Sequence, residues 1–224
     1  MRFHSNRSAG RLVLHLVVAC VLGLTLSGCF AEGNPSETKK SPSAPPAKLI
    51  TKEEFNKASK YFDYEEDEFT QVVTIGPNKV SGMRVKVGSE MGTLVAGISS
   101  DKPGGPYLPY LIAEYVGSDW IFFDSVDIKS SKGTMTVLVE KSEKVQDVVG
   151  NGRVQEVALE YFDGNQLQKL RQLLKGTDFK FRLNGSGDKV GEDFTARFSN
   201  AMATLFKEFL VLHDGLEQGL NFPN

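Results

Sequence analysis

The longest run of helically spaced apolar residues lies near the C-terminus of the chain. Its members form one stripe over about five turns: Phe194, Phe198, Ala201, Met202, Leu205, Phe209 and Leu212. The stripe predicts a long amphipathic helix, and Gly215 and Gly219 mark its end. Because polar residues occupy the other sides, we expect Phe198, Leu205 and Phe209 to be almost completely buried against a sheet.

Two shorter helices are predicted from capping residues and spacing. Residues 51–54 form a capping box, and Phe55, Ala58 and Phe62 follow it at helical spacing. A second group of helically spaced leucines lies between Asp163 and Gly176: Leu167, Leu170, Leu173 and Leu174. We therefore expect one helix at the start of the folded part and another after its main group of strands.

Segments of strand character fill most of the chain between these helices. They cover residues 69–75, 79–87, 92–98, 108–116, 120–128, 134–140, 154–161 and 179–183. Residues 131–133 and 150–152 have the composition of hairpin turns. Strands that come first and helices that come late favour an α+β fold: a single domain, a mainly antiparallel sheet, and two or three helices packed on one face.

The residue pattern within two of these strands predicts how each strand is covered. In residues 154–161, apolar side chains alternate with Glu156, Ala158 and Glu160, as in a strand with one face in water. Residues 120–123 are four consecutive large apolar residues, which predict a central strand covered on both faces.

The first 28 residues have the organisation of a secretory signal peptide. Arg2, Arg7 and Arg11 precede an apolar stretch at residues 12–26 that is too short for a stable membrane span. Four prolines among polar residues at positions 31–47 predict a tether of up to roughly 50 Å, at about 3.1 Å per residue. We divide the chain into a signal peptide at 1–28, a tether at 29–49 and one domain at 50–224.

The apolar stretch closes with Leu26-Ser27-Gly28-Cys29. This motif resembles the lipobox of bacterial lipoproteins, in which a Leu and two small residues precede an obligatory Cys. The resemblance covers residues 1–29 and implies cleavage before Cys29, lipidation of Cys29 with diacylglycerol and palmitate, and a domain in the cell envelope outside the cytoplasm. Phe30 stands where an Asp would favour retention in an inner membrane, and the choice between inner and outer membrane stays open.

A second resemblance concerns the folded part. The arrangement of residues 119–123, 154–156 and 179–185 before a final helix is similar to that of small uncharacterised bacterial envelope lipoproteins. It covers roughly residues 107–213 and implies no catalytic residue.

Charge and cysteine content exclude several functions for the mature chain. Loss of the three signal-peptide arginines leaves 23 basic against 28 acidic residues, a net charge near −5, which disfavours nucleic acid and anionic membrane surfaces as partners. Cys29 is then the only Cys and His213 the only His, so disulfides, a Cys nucleophile and multi-His or Cys-rich metal sites are excluded. We expect no cofactor, and membrane affinity that comes from the lipid.

Four features are candidates for chemistry. The acidic run at residues 63–68 lacks the spacing of a calcium loop, which favours a solvated segment. His213 lies at the end of a helix without a nucleophile motif, and residues 185–188 lack Walker A spacing, so structural roles are favoured for both. The loop at residues 101–110 is stiffened by prolines, and its Tyr107 and Tyr110 are the candidate binding residues. In the alternative interpretation, this loop is a surface crossing and its tyrosines cap the core.

Two classes of function remain. The first is a non-catalytic binding domain of unknown ligand in an envelope lipoprotein, whose partner would be an envelope protein or a cell-wall component. The second is a cell-wall-directed hydrolase, which requires two carboxylates across a cleft. The sequence nominates no such pair and no catalytic residue, and the missing nucleophile, metal and cofactor signatures favour the first class.

Overall fold

The computed structural model describes residues 49–80, 83–140, 144–185 and 193–223. Residues 50–224 form one compact unit. In the described ranges it contains three α-helices and eleven strands in two antiparallel sheets, so the predicted single α+β domain is confirmed. None of the helices in these ranges is long and apolar enough to cross a membrane.

The helices are α1 (Lys52–Ser59), α2 (Gly164–Leu173) and α3 (Asn200–Glu217). The strands are β1 (Phe62–Glu66), β2 (Val73–Pro77), β3 (Arg84–Val87), β4 (Glu90–Ser100), β5 (Leu108–Gly117), β6 (Phe123–Ser130), β7 (Gly133–Leu138), β8 (Lys144–Val149), β9 (Arg153–Tyr161), β10 (Lys180–Gly185) and β11 (Phe194–Arg197). The first sheet has the order β1-β2-β4-β5-β9-β8, with β3 also paired to β4, and the second has the order β11-β10-β6-β7.

The second sheet has one dry face and one wet face. Its register aligns the buried side chains in rows across the strands: Phe194, Leu183, Val126 and Val137, then Ala196, Phe181, Ile128 and Met135. The opposite face carries polar residues in the alternate positions, because successive side chains of a strand point to opposite sides.

The dry face packs into one core with the first sheet and α3. Gly92 of β4 makes this approach possible, since a Cβ there would collide with the ring of Phe194. The Phe194 ring also lies 5.9 Å from that of Tyr115 in β5. On the other side, Phe198 contacts Phe206 of α3 with 5.4 Å between ring centroids.

Two helices begin with capping boxes, and the sequence predicted the first of them. Thr51 and Glu54 form the predicted capping box of α1, and Asp163 with Gln166 forms one for α2. Such boxes satisfy backbone N–H groups that have no partner within the helix. The predicted hairpin turns are also confirmed, because β6 pairs with β7 and β8 with β9.

The final helix is shorter than its apolar stripe predicted. It begins at Asn200, after the N-cap Ser199, whereas Phe194–Arg197 forms strand β11. A spacing of four residues between Phe194 and Phe198 fits a strand as well as a helix, and pairing with β10 decides for the strand. Leu205 and Phe209 are almost completely buried as expected, but Phe198 is only half-buried.

Several predicted strand boundaries are also corrected. The segment predicted at 69–75 becomes a strand only from Val73, and the one at 79–87 only from Arg84. The strands β1 and β8 were not predicted, because their polar residues have low β-propensity and their strand structure depends on pairing with β2 and β9.

Candidate functional site

The two candidate binding tyrosines lie in different surroundings. Tyr107 is half-buried just before β5, whereas Tyr110 is a member of β5 with 1% of its surface exposed. The Tyr110 hydroxyl has no hydrogen-bond partner among the described residues, and it lies over Gly97, where a Cβ would collide with it. Burial raises the pKa of Tyr110. Tyr110 therefore lies within the sheet and not on the exposed loop at residues 101–106.

Two other candidates fall wholly or partly outside the described ranges. Cys29 lies among the first 48 residues, which the structure does not describe. Of residues 185–188, only Gly185 is described; it ends β10, and its N–H group donates to Asp193 at 3.1 Å. In the part of the chain that the structure describes, the next element is the strand β11 and not the last helix as predicted.

The acidic run at residues 63–68 forms a strand and a turn. Its first part belongs to β1, and Asp67 begins the turn. Asp67 Oδ1 accepts two hydrogen bonds from Thr70, one from its N–H group at 2.7 Å and one from its hydroxyl at 2.9 Å. It also accepts the N–H group of Phe69 at 3.0 Å. These hydrogen bonds lower the pKa of Asp67. Within the ranges that are described, no group of three or more His, Cys, Asp or Glu side chains is arranged to hold a metal ion.

His213 belongs to a polar network between two helices. Its Nδ1 lies 3.3 Å from Asp214 Oδ1, and the same oxygen accepts a hydrogen bond from Arg171 of α2. Burial raises the pKa of Asp214, but the hydrogen bonds from His213 and Arg171 outweigh this effect and the pKa is lowered. The contact between Arg171 and Asp214 ties α2 to α3, and His213 adds a contact to Asp214 within α3.

The segment between β5 and β6 presents two aromatic rings at the surface. Trp120 and Phe122 stack with 5.9 Å between ring centroids and an interplanar angle of 23°. Phe122 keeps 44% of its surface exposed, Trp120 is half-buried, and Ile121 between them is buried. The prediction of a strand covered on both faces is therefore wrong here, because β6 begins only at Phe123.

The backbone at Phe122 adopts the left-handed region, with φ of 50°. For an L-residue this conformation brings Cβ close to the following carbonyl oxygen and costs about 1 to 2 kcal/mol. For a bulky residue it is an outlier, and such outliers persist only where the surrounding structure holds them. An exposed aromatic ring on a strained backbone is a reason to look for function at this position.

Glu156 of β9 holds this segment in place. Its Oε1 accepts the N–H groups of Ile121 at 2.8 Å and Phe122 at 2.9 Å. The side chain is completely buried, and its Oε2 has no partner in the part of the chain that the structure describes. The sequence predicted Glu156 on a wet face; this is wrong, because β9 lies between β5 and β8 and the backbone of residues 121–122 lies against the carboxylate.

Tyr115 lies directly opposite Glu156 on the neighbouring strand. Its hydroxyl donates to Glu90 Oε1 at 3.0 Å. Burial is the main cause that raises the pKa of Tyr115, and the bond to Glu90 adds to it. Gly117 is required beneath this ring, because a Cβ there would collide with the Tyr115 hydroxyl. Tyr115 is thus a fixed donor on the same sheet face as Glu156.

The aromatic pair, which we define as Trp120 and Phe122, is suited to binding a ligand with a flat apolar face. Stacked aromatic contacts contribute about 0.5 to 1.5 kcal/mol beyond the area that they bury. Asp119 is exposed next to Trp120 and offers carboxylate oxygens to hydrogen-bond donors. Apolar stacking and polar contacts are therefore both available at this surface.

The sequence contained one signal for this site. The run of large apolar residues at 120–123 stood out, but its lack of alternation predicted a strand covered on both faces. Glu156 had no signal at all, because its role depends on residues more than thirty positions earlier in the chain.

Comparisons of the chain with models of known protein families, with curated proteins and with solved structures found no match.

Proposed function

We propose that residues 50–224 are the binding domain of a lipid-anchored protein of the bacterial cell envelope, and that the aromatic pair is its main contact surface. The anchor is supported by the lipobox resemblance at residues 26–29, and the tether by the proline-rich composition that follows. In this proposal Cys29 carries the lipid, and the domain lies outside the cytoplasm with an envelope or cell-wall component as its partner.

The observation that carries the binding role is the way in which the aromatic pair is held. Phe122 is strained and exposed, and Glu156 is buried with its Oε2 unpartnered among the described residues. Both features are unfavourable for stability: strained backbone costs of order 1 to 3 kcal/mol, and a buried group without a partner has a similar cost. An arrangement that lowers stability in order to present two rings to solvent is typical of a binding site.

The alternative function, a hydrolase with paired carboxylates, has no specific observation in its favour. The buried carboxylate of Glu114 and the half-buried one of Asp214 already have structural partners. Glu114 accepts hydrogen bonds from Thr93 at 2.9 Å and from Gln155 at 2.6 Å, and Asp214 is bonded to Arg171.

The chemistry of the aromatic pair favours a ligand that offers flat apolar faces and hydroxyl donors. The C–H faces of sugar rings have this character, and sugar polymers form the bacterial cell wall. We therefore take cell-wall glycan as the first ligand to test.

The test is co-sedimentation of residues 50–224 with insoluble cell-wall glycan. The variants Trp120→Ala and Phe122→Ala should each weaken binding at least about tenfold, which corresponds to about 1.4 kcal/mol. Phe69→Ala is the matched control, because Phe69 is 94% exposed in a different turn and its loss should leave binding unchanged. If the glycan does not bind, a photo-crosslinking residue at the exposed position 118, beside the aromatic pair, identifies a protein partner in the native envelope by mass spectrometry.

Equal binding or crosslinking by the parent and both aromatic variants would contradict the proposed contact surface. Thermal melts of the variants show whether a loss of binding reflects a loss of folding, since both rings are partly exposed and we expect only small shifts.

A further inference from the structure

Three basic residues form a row across the wet face of the second sheet. Lys180 of β10 lies directly opposite Lys129 of β6 on one side and Arg197 of β11 on the other. Directly opposed residues in an antiparallel sheet have Cβ atoms about 4.5 to 5.5 Å apart, and like charges in such positions repel. Lys129 and Arg197 are exposed and Lys180 is half-buried, so the row is accessible.

The neighbouring row on the same face shows how such charges are usually balanced. Arg182 lies opposite Asp127, donates to its Oδ2 at 2.8 Å and lies 3.5 Å from Asp193. In the row of three, by contrast, Arg197 has one exposed carboxylate, Asp178, at 3.6 Å, and no described carboxylate lies within ion-pair distance of Lys129 or Lys180. The charge of Arg182 is therefore neutralised within the fold, whereas the row of three basic residues keeps an excess of positive charge.

Two loops add further positive charge at the same end of the sheet. Lys132 lies in the turn after β6, and Lys175 follows α2; both are exposed. The loops are joined, because the Ser131 hydroxyl accepts the N–H group of Thr177 at 3.0 Å. Gly176 is also packed so closely that a Cβ would lie 3.0 Å from Lys132 Cγ.

We define the cationic patch as Lys129, Lys132, Lys175, Lys180 and Arg197. It holds five positive charges, and among the described residues only the carboxylate of Asp178 lies within ion-pair distance of any of them, although the mature chain as a whole is acidic. Its central row runs across three strands that are about 4.8 Å apart, so the charges are spread along roughly 10 Å and do not converge on one point. Such a surface matches a layer of many anions better than one small anion, which requires convergent donors.

We propose that the cationic patch docks on the anionic phospholipid headgroups of the membrane that carries the anchor. Phosphate oxygens neutralise the mutual repulsion of the row, and each basic residue near an anionic surface adds to the attraction within a Debye length. This inference extends the proposed function: the lipid at Cys29 keeps the protein at the membrane, and the cationic patch sets which face of the domain the membrane meets.

The test uses residues 50–224 without the lipid, so that the outcome does not depend on anchoring at Cys29. This range contains both sheets and all described helices. We expect it to co-sediment with vesicles of phosphatidylcholine and phosphatidylglycerol but not with phosphatidylcholine alone, and added salt should release it. Replacement of the three row residues, Lys129→Gln, Lys180→Gln and Arg197→Gln together, should reduce binding at least about tenfold, because each removed charge weakens the attraction.

The matched control removes three exposed positive charges elsewhere: Lys52→Gln, Lys57→Gln and Lys60→Gln on and after α1. It changes net charge equally and should keep most of the binding. Equal losses in both triple variants would overturn the proposal, because they would show attraction by net charge alone. Binding to soluble polyphosphate without binding to the anionic vesicles would also overturn it and would assign the patch to an anionic polymer. The absence of glycan binding would not change the expected binding to vesicles, so each proposal can be disproved independently of the other.

Discussion

Glu156 and Phe122 show how one buried carboxylate can set the conformation of an exposed residue. The Oε1 atom of Glu156 accepts two consecutive N–H groups that no strand ladder satisfies. Those bonds keep residues 121–122 in place while Phe122 holds a positive φ. At this scale the chemistry is local, because one side-chain oxygen accepts two consecutive backbone N–H groups.

Removal of the Glu156 carboxylate should therefore destabilise the domain. Glu156→Ala leaves two N–H groups without an acceptor, and each unsatisfied buried group costs about 1 to 3 kcal/mol. We expect a loss of at least about 2 kcal/mol in the free energy of unfolding, measured by urea denaturation. Glu160→Ala, on the same strand, is the comparison, since Glu160 accepts the N–H group of Glu140 at an exposed position and not a buried one. Similar losses in the two variants would argue against a special role for Glu156.

Cys29 is the residue on which the proposed location depends. Cys29→Ala removes the only side chain of the lipobox that can take a diacylglycerol, so the precursor should stay unlipidated and its signal peptide uncleaved or wrongly cleaved. Metabolic labelling with a palmitate analogue measures this. Label that persists on the variant would disprove lipidation at Cys29.

At the scale of secondary structure elements, α3 contributes a long buried face to the core. Phe209 is fully buried and contacts Phe162, which follows β9, with 6.1 Å between ring centroids. On its other side, Gly215 of α3 allows the ring of Phe55 in α1 to approach the helix backbone. The helix therefore packs on the first sheet, as its apolar stripe predicted, and also on α1, which the stripe did not predict.

The burial of Phe209 predicts a large loss on truncation. Phe209→Ala should lower the free energy of unfolding by about 3 to 5 kcal/mol, because a buried ring is replaced by a cavity. Phe69→Ala should change it by no more than about 0.5 kcal/mol, since Phe69 is exposed in the β1–β2 turn. Thermal melts compare the two directly. If Phe209→Ala melts like the parent, the core position of α3 is wrong.

At the scale of the whole molecule, the fold joins two antiparallel sheets through one shared core. The second sheet turns its polar face outward, and there the register brings Lys129, Lys180 and Arg197 together from three strands. The net charge of the chain did not indicate this cluster of basic residues, because a sum over the whole chain conceals a local excess of one sign.

The composition of the domain predicts how the isolated unit responds to solution conditions. Residues 50–224 contain no Cys and one His. We expect them to unfold in one cooperative transition whose midpoint is the same with and without reductant or EDTA. Circular dichroism melts measure this. A large fall of the midpoint with EDTA would show that the acidic run at 63–68 binds calcium.

The sequence by itself predicted the elements whose signals are local. The capping box at Thr51, the turn residues at 131–133 and 150–152, and the leucine spacing of α2 each depend on neighbours within a few positions. The α+β class followed from the order of these elements. The expected lipidation of Cys29 likewise rests on a contiguous motif, and it stays a prediction.

Only the tertiary structure decided the features that depend on distant pairing. It assigned Phe194–Arg197 to a strand because β10 provides its partner, and it buried Glu156 because β5 and β8 flank β9. It also separated Tyr107 from the buried Tyr110 and placed the aromatic pair at the surface. The reason is physical: a side chain's exposure and its partners are set by which strands lie next to it, and the chain pairs strands that are far apart in sequence.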